Sequence, residues 1–142
     1  MSALGYRGYV ASRPFFGERA PQHVQNIVIN NYCSKNNLRY LLSATEVAMP
    51  GMYLILEQVL QDHKNIDGII FYSLFQLPEE RQARQQILAT AISSQIDLHF
   101  AVESMRVSSA HEAMIVDQVF SIQEVLLGPK YLNDLSAIET AC

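Results

Sequence analysis

Basic residues are few in this chain. Across 142 residues Lys and Arg together number 10, against 14 Asp and Glu, for a formal net charge of -4. A protein that holds nucleic acid by neutralising phosphates carries a basic surface and a high pI, and here the pI is about 5.5. Composition therefore argues against DNA or RNA as a partner. Cysteine is scarcer still. Cys33 falls in an apparent helix and Cys142 at the very end, a pattern of free thiols in a reducing compartment, and no metal-ligand motif includes either. No apolar run approaches the roughly 20 residues of a membrane span, and the opening MSALGYRGYV lacks the apolar core of a signal peptide. The expectation is a cytoplasmic protein without membrane contact. Nucleotide fingerprints of the GxGxxG and Walker kinds are missing as well, and no cofactor is expected. Repeats, low-complexity tracts and linkers are absent, which leaves one domain over residues 1–142.

Apolar residues are plentiful, at 49% of the chain against 17% charged, too many for disorder. A chain of this length buries roughly two thirds of its unfolded surface in a single core. Four segments read as strands: Gly5 to Ala11, Leu38 to Ser43, Gly68 to Ser73 and Asp97 to Glu103. They recur about every thirty residues, the length of one strand-plus-helix unit. Short apolar runs such as GIIFYSL suit strands buried on both faces, as a parallel sheet requires. Helical patterns lie between them, one opening at Pro21, one from about Pro50 to Lys64 and one from Pro78. A fourth and longer helix, from about residue 109 to 127, starts on a capping box of Ser109 and Glu112. Gly128-Pro129 should end it, leaving a short tail over 129–142. The order predicts an α/β fold, an open and mostly parallel sheet of about four strands with helices on both faces. On such sheets ligands bind beyond the carboxyl ends of the strands.

Those ends and the loops after them gather a polar rim: Ser12, Arg13, Arg19, Gln22, His23, Glu46, Tyr72, Ser73, Gln76, Glu103 and Ser104. Arg13 and Arg19 lie near the start of the Pro21 helix, where free backbone N–H groups and the helix dipole favour an anion. Either they hold a phosphate or carboxylate, or they are solvated or paired with Glu46 and Glu103. His23, in the first turn of that helix, reads as a neutral general base or as a capping residue. Glu46 and Glu103 read as an acid/base pair across adjacent strand ends, or as ordinary caps. His99, between Leu98 and Phe100, reads as a hydrogen-bonded core histidine.

The blocks GYVAS, QNIVINNYC, MPGMYLILEQVL, GIIFYSLFQLPEER and IDLHFAVESM, in that order, resemble the serine recombinase (resolvase/invertase) catalytic domain over residues 5 to 125. The resemblance implies a three-layer sandwich of that type, with the nucleophilic serine at Ser12 and the glutamine of the first helix at Gln25. The family's arginines and aspartate fall instead on Val10, Met49, Phe75, Gln76 and Glu79. A serine attacking a phosphodiester needs cations around the phosphoryl group, so the resemblance implies the fold without DNA recombination. The family's DNA-recognition segment would begin where this chain stops.

The stretches SRPFFGERAPQHVQN, YLLSATEVAM and FYSLFQLP are also similar to the sporadic carbohydrate cluster family of bacterial surface polysaccharide gene clusters. That similarity implies a role in capsule or lipopolysaccharide synthesis, with an anionic sugar such as a nucleotide sugar or sugar phosphate as the partner. On that reading Ser12, His23, Glu46 and Glu103 carry catalysis, while Arg13, Arg19, Gln22, Gln25, Tyr72, Ser73 and Gln76 bind the ligand. The alternative is a non-catalytic interaction or regulatory module derived from a serine recombinase fold. Apolar residues of the late helix, among them Met114, Ile115, Val119, Phe120 and Ile122, suggest a homo-oligomer, most simply a dimer.

Overall fold

Within Tyr6–Ala11 (β1) the last four residues are all buried, so both faces of this strand must be covered. The computed structural model describes residues 4–12, 14, 19–46 and 53–140, with side chains described as far as residue 126. After β1 come Gln22–Lys35 (α1), Tyr40–Glu46 (β2), Leu54–Gln61 (α2), Gly68–Phe71 (β3), Arg81–Ser93 (α3), Asp97–Phe100 (β4), Met105–Val107 (β5) and Ala110–Thr140 (α4). Short 3₁₀ turns follow α2 at His63–Asn65 and β3 at Leu74–Gln76.

The sheet runs β2-β1-β3-β4-β5, the first four strands parallel and β5 antiparallel to β4. Successive strand residues point to opposite faces, and the core divides accordingly. Tyr9, Ala11, Ile69, Phe71, Leu98 and Phe100 join α2, α3 and α4 in the larger cluster. Val10 and Ile70 meet Ile29 and Cys33 of α1 on the other face. Right-handed crossovers dictate this division, because the chain moves to one side of β1 through α1 and to the other side through α2 and α3.

The sheet has five strands where four are expected. β5 is three residues long and hairpins back after the turn Ala101–Ser104, too short for an alternating pattern to reveal. Ser104 takes φ 52 to close that turn, a conformation usually left to glycine. Helix starts also shift. α1 begins after Pro21, which sits at the N-cap, and α3 begins at Arg81 and not at Pro78. The expected start of the second helix at Pro50 lies outside the described residues. α4 does not stop at Gly128-Pro129 but continues to Thr140. A proline removes one backbone hydrogen bond and crowds the preceding turn, which bends a helix without necessarily ending it.

On edge strand β2 the pairing slips, Arg7 facing Leu41 while Tyr9 faces Ala44, so Leu42 and Ser43 together oppose Gly8. Ser43 turns its hydroxyl onto Asn26 of α1 at 2.6 Å, and a Cβ on Gly8 would lie 2.3 Å from that oxygen. Nε of Arg7 donates to the bulged carbonyl of Leu42. Gly68 is tighter still, since a Cβ there would fall 2.1 Å from the backbone oxygen of Asp97 in β4.

Candidate functional site

The crevice between β1 and β3 is the switch point of this strand order, where the chain leaves the two strands in opposite directions. Two glutamines fill it. Gln25, on the inner face of α1, donates through Nε2 to the carbonyls of Ala11 and Ala20, both at 2.8 Å. Its Oε1 accepts from the Ala11 amide at 3.1 Å and from Nε2 of Gln76 at 2.8 Å. Gln76 in turn accepts from the amides of Tyr72 at 3.1 Å and Ser73 at 3.4 Å. Both side chains are buried, at 0% and 2% exposure. Two residues expected to bind ligand thus bond to the backbone at the end of β1 and just after β3, and their first task is to satisfy buried peptide groups.

Glu46 and Glu103 act as caps. Glu46, buried at the end of β2, accepts from the amides of Ile55 at 3.0 Å and Leu56 at 3.3 Å, at the start of α2. Tyr9 OH donates to its Oε1 at 2.9 Å. A carboxylate facing unpaired N–H groups and the positive end of a helix is stabilised there. Glu103 accepts from Ser73 Oγ and from the Leu74 amide, both at 2.8 Å, and so caps the 3₁₀ turn after β3. The acid/base pair expected across adjacent strand ends does not form. β1 and β3 stand between β2 and β4, so three strand spacings, roughly 14 Å, separate those strands.

Ser12 follows β1 and is half-buried; no hydrogen bond joins it to His23 or Glu46 among the described residues. Arg19, Gln22 and His23 are exposed at the start of α1, whose N-cap Pro21 supplies no side-chain hydrogen bond. Tyr72 is half-buried against the α1-side cluster, and Ser73 is buried. Arg13 lies outside the described residues, as does Met49. The structure therefore gathers Gln25, Ser73, Gln76 and Glu103 around the switch point and leaves Arg19, Gln22 and His23 on the surface. Val10, which falls where the recombinase resemblance places an arginine, is fully buried among Ile29, Cys33 and Ile70. Phe75 packs its ring on Phe120 at 5.3 Å, and Glu79 is exposed.

One polar centre escaped sequence reasoning, whereas the core histidine expected at position 99 is found as such. Arg84 of α3 is 2% exposed, bonds Asp117 of α4 at 2.9 Å, donates to the carbonyls of Pro78 and Glu79, and lies 4.0 Å above the Phe120 ring. Nothing in a helical pattern distinguishes such an arginine from a solvated one. His99 is buried against α1, with Tyr32 OH 2.7 Å from Nδ1 and the Tyr6 ring in edge contact at 5.3 Å. Its Nε2 has no hydrogen-bond partner among the described residues. Burial pushes the imidazole below its usual range; Asp97 opposes the shift and Arg106 adds to it. Burial likewise raises the Tyr32 hydroxyl and the Cys33 thiol. No cluster of three or more His, Cys, Asp or Glu able to hold a metal ion occurs among the described residues.

No protein-family model matches the chain, and no curated protein does. Solved structures do. The N-terminal catalytic domain of TP901-1 integrase superposes with a TM-score of 0.62 at 17% identity, covering 88% of this chain and 99% of that one. A resolvase family site-specific recombinase from Streptococcus pneumoniae superposes with a TM-score of 0.61 at 10% identity, covering 96% and 98%. The fold is that of a resolvase-type catalytic domain. The expected role in polysaccharide, capsule or lipopolysaccharide synthesis is overturned, because the likenesses lead to recombination enzymes and none to the sporadic carbohydrate cluster family. An anionic sugar or nucleotide sugar as partner falls with it. The expectation that nucleic acid is not a partner is overturned as well, because the structures that share this fold are an integrase catalytic domain and a site-specific recombinase. No helix among the described residues is long and apolar enough to cross a membrane.

Proposed function

We propose that this chain is a non-catalytic interaction module on a serine recombinase fold, and that it pairs with a second copy of itself through α4. The observation that carries the proposal is the apolar surface of that helix. Val116 and Phe120, fully buried, fix α4 to the body. Met114, Ile115, Ile122, Val125 and Leu126 are 60%, 38%, 58%, 76% and 71% exposed. Ile115, Ile122 and Leu126 recur at the seven- and four-residue spacing of a helix-pairing seam, while Val119 between them is partly buried against the body. A helix carrying such a stripe gains little by leaving it in water, and a two-fold contact buries it on both copies.

The non-catalytic part rests on the positions to which the recombinase resemblance assigns the family's charged residues. Val10, Phe75, Gln76 and Glu79 offer an apolar strand, a packed ring, a bonded amide and a negative charge where developing phosphoryl charge would need cations. Glu46 and Glu103 are engaged as caps. A cytoplasmic setting fits the free, buried thiol of Cys33.

Light scattering coupled to size exclusion tests the pairing. The expected particle has twice the 16.0 kDa mass of the chain at micromolar concentration. Ile122→Glu combined with Leu126→Glu should return it to the monomer without unfolding it, since both side chains are exposed. A monomeric wild type under the same conditions overturns the proposal.

A further inference from the structure

α2 and α3 lie side by side on the sheet without closing on each other. The face that α3 turns to α2 carries Ala83 and Thr90 beside Gln86 and Ile87, with Ser94 just after the helix, and the small side chains among them leave part of the space between the two helices unfilled. α2 is also the shorter, 8 residues against 13, and gives way to a 3₁₀ turn at His63. A groove of about 560 Å³ remains, within the range of small-molecule sites. Its floor includes Leu60 and Ile87, 4% and 8% exposed, so an occupant without an apolar body would leave them against trapped water.

Charge selects the other half of the occupant. Glu57 of α2 is the carboxylate on the wall, and no lysine or arginine lines the groove among the described residues. Neither α3 guanidinium lines the groove: Arg81 is exposed at the start of the helix, and Arg84 is bound to Asp117 of α4. Amides and hydroxyls of Gln61, Gln86, Thr90 and Ser94 supply polar rims. An anion would meet Glu57 with no lysine or arginine in the lining to balance it, His63 being the one imidazole there, in a chain of net charge -4. We propose that the α2–α3 groove binds a small organic cation with an apolar body, an aryl or alkyl ammonium, the body on Leu60 and Ile87 and the charge towards Glu57.

Three probes of one shape and different charge test this in the full chain: benzylammonium, benzyl alcohol and benzoate, titrated into isotope-labelled protein and followed by amide shifts in NMR. Saturable shifts are expected at Leu60, Ile87, Thr90 and Ser94. Because Glu57 is exposed, its charge is worth only as much as a surface pair, about two- to fivefold tighter binding of the ammonium than of the alcohol. Benzoate should bind weakest. Glu57→Gln should abolish the ammonium preference while keeping the alcohol, and Thr90→Trp, at an exposed position, should block all three. Absence of saturable shifts in the groove, equal binding of benzoate and benzylammonium, or a preference that survives Glu57→Gln overturns the assignment. Each variant's own spectrum shows that it is folded.

Discussion

His99 sits where a positive charge is costly. Its Nδ1 is 2.7 Å from the Tyr32 hydroxyl, and its Nε2 meets no described partner, so a second proton would be buried between sheet and helix without a matching acceptor. Burial lowers the folded-state pKa below that of the unfolded chain. Above the unfolded value, about 6.5, both states are neutral and the residue leaves stability unchanged. As pH falls below it the unfolded chain takes up the proton that the fold refuses, and stability drops by up to about 1.4 kcal/mol per pH unit until the folded value is reached. Urea midpoints at pH 7.5 and 5.5 should therefore differ more in wild type than in His99→Gln, which keeps a polar group for Tyr32 and removes the titration. Parallel losses in the two proteins would dismiss the argument. Glu112 does not confuse this window. Bonds from Ser108 and Ser109 hold its carboxyl below the usual range, so its contribution is lost only at more acidic pH. The rim residues themselves were legible, because a polar residue ending an apolar run marks a strand end. Their partners were not, since Tyr9 meets Glu46 from 37 positions away and Gln25 meets Gln76 from 51.

Among the elements, the strands were the most readable, since short apolar runs recurring about every thirty residues between turn signals are too short for helices. β5 was not, being three residues defined by its partner β4 more than by its own composition. Helix ends were misplaced where proline was taken as a boundary, at Pro78 and Pro129, because its effect depends on whether neighbouring turns absorb the lost bond. Two glycines give the elements a measurable test. Ala at position 68 would drive its Cβ into the Asp97 carbonyl oxygen in the β3–β4 ladder, and backbone cannot rotate aside, so a loss of about 3 kcal/mol or more is expected. Ala at position 8 meets the Ser43 hydroxyl, a side chain that can swing away at the expense of its bond to Asn26, for about 1 kcal/mol. Chemical denaturation should rank Gly68→Ala as the more damaging. The reverse order would mean that the bulge, and not the central ladder, is the rigid part of the sheet.

For the molecule as a whole, likeness of fold and absence of the expected cations pull in different directions. Supercoiled plasmid decides between them: no nicking above background is expected, and nicking that disappears in Ser12→Ala would restore the chemistry denied to this chain. The fold class was readable from the rhythm of strands and helices. The function was not, because a scaffold does not state which of its surfaces is in use. Here the bulge in β2 has a consequence for assembly. A sheet grows by offering a flat row of free peptide groups at its edge, and among the described residues both borders of this one are interrupted or short. At one border Leu42 and Ser43 break the row and Arg7 occupies the displaced carbonyl; at the other, β5 is over in three residues. Filament growth by strand addition is thereby discouraged on both sides. That leaves the pairing proposed through α4, made by side chains on helices and closed at two copies, as the route by which copies of the chain would associate.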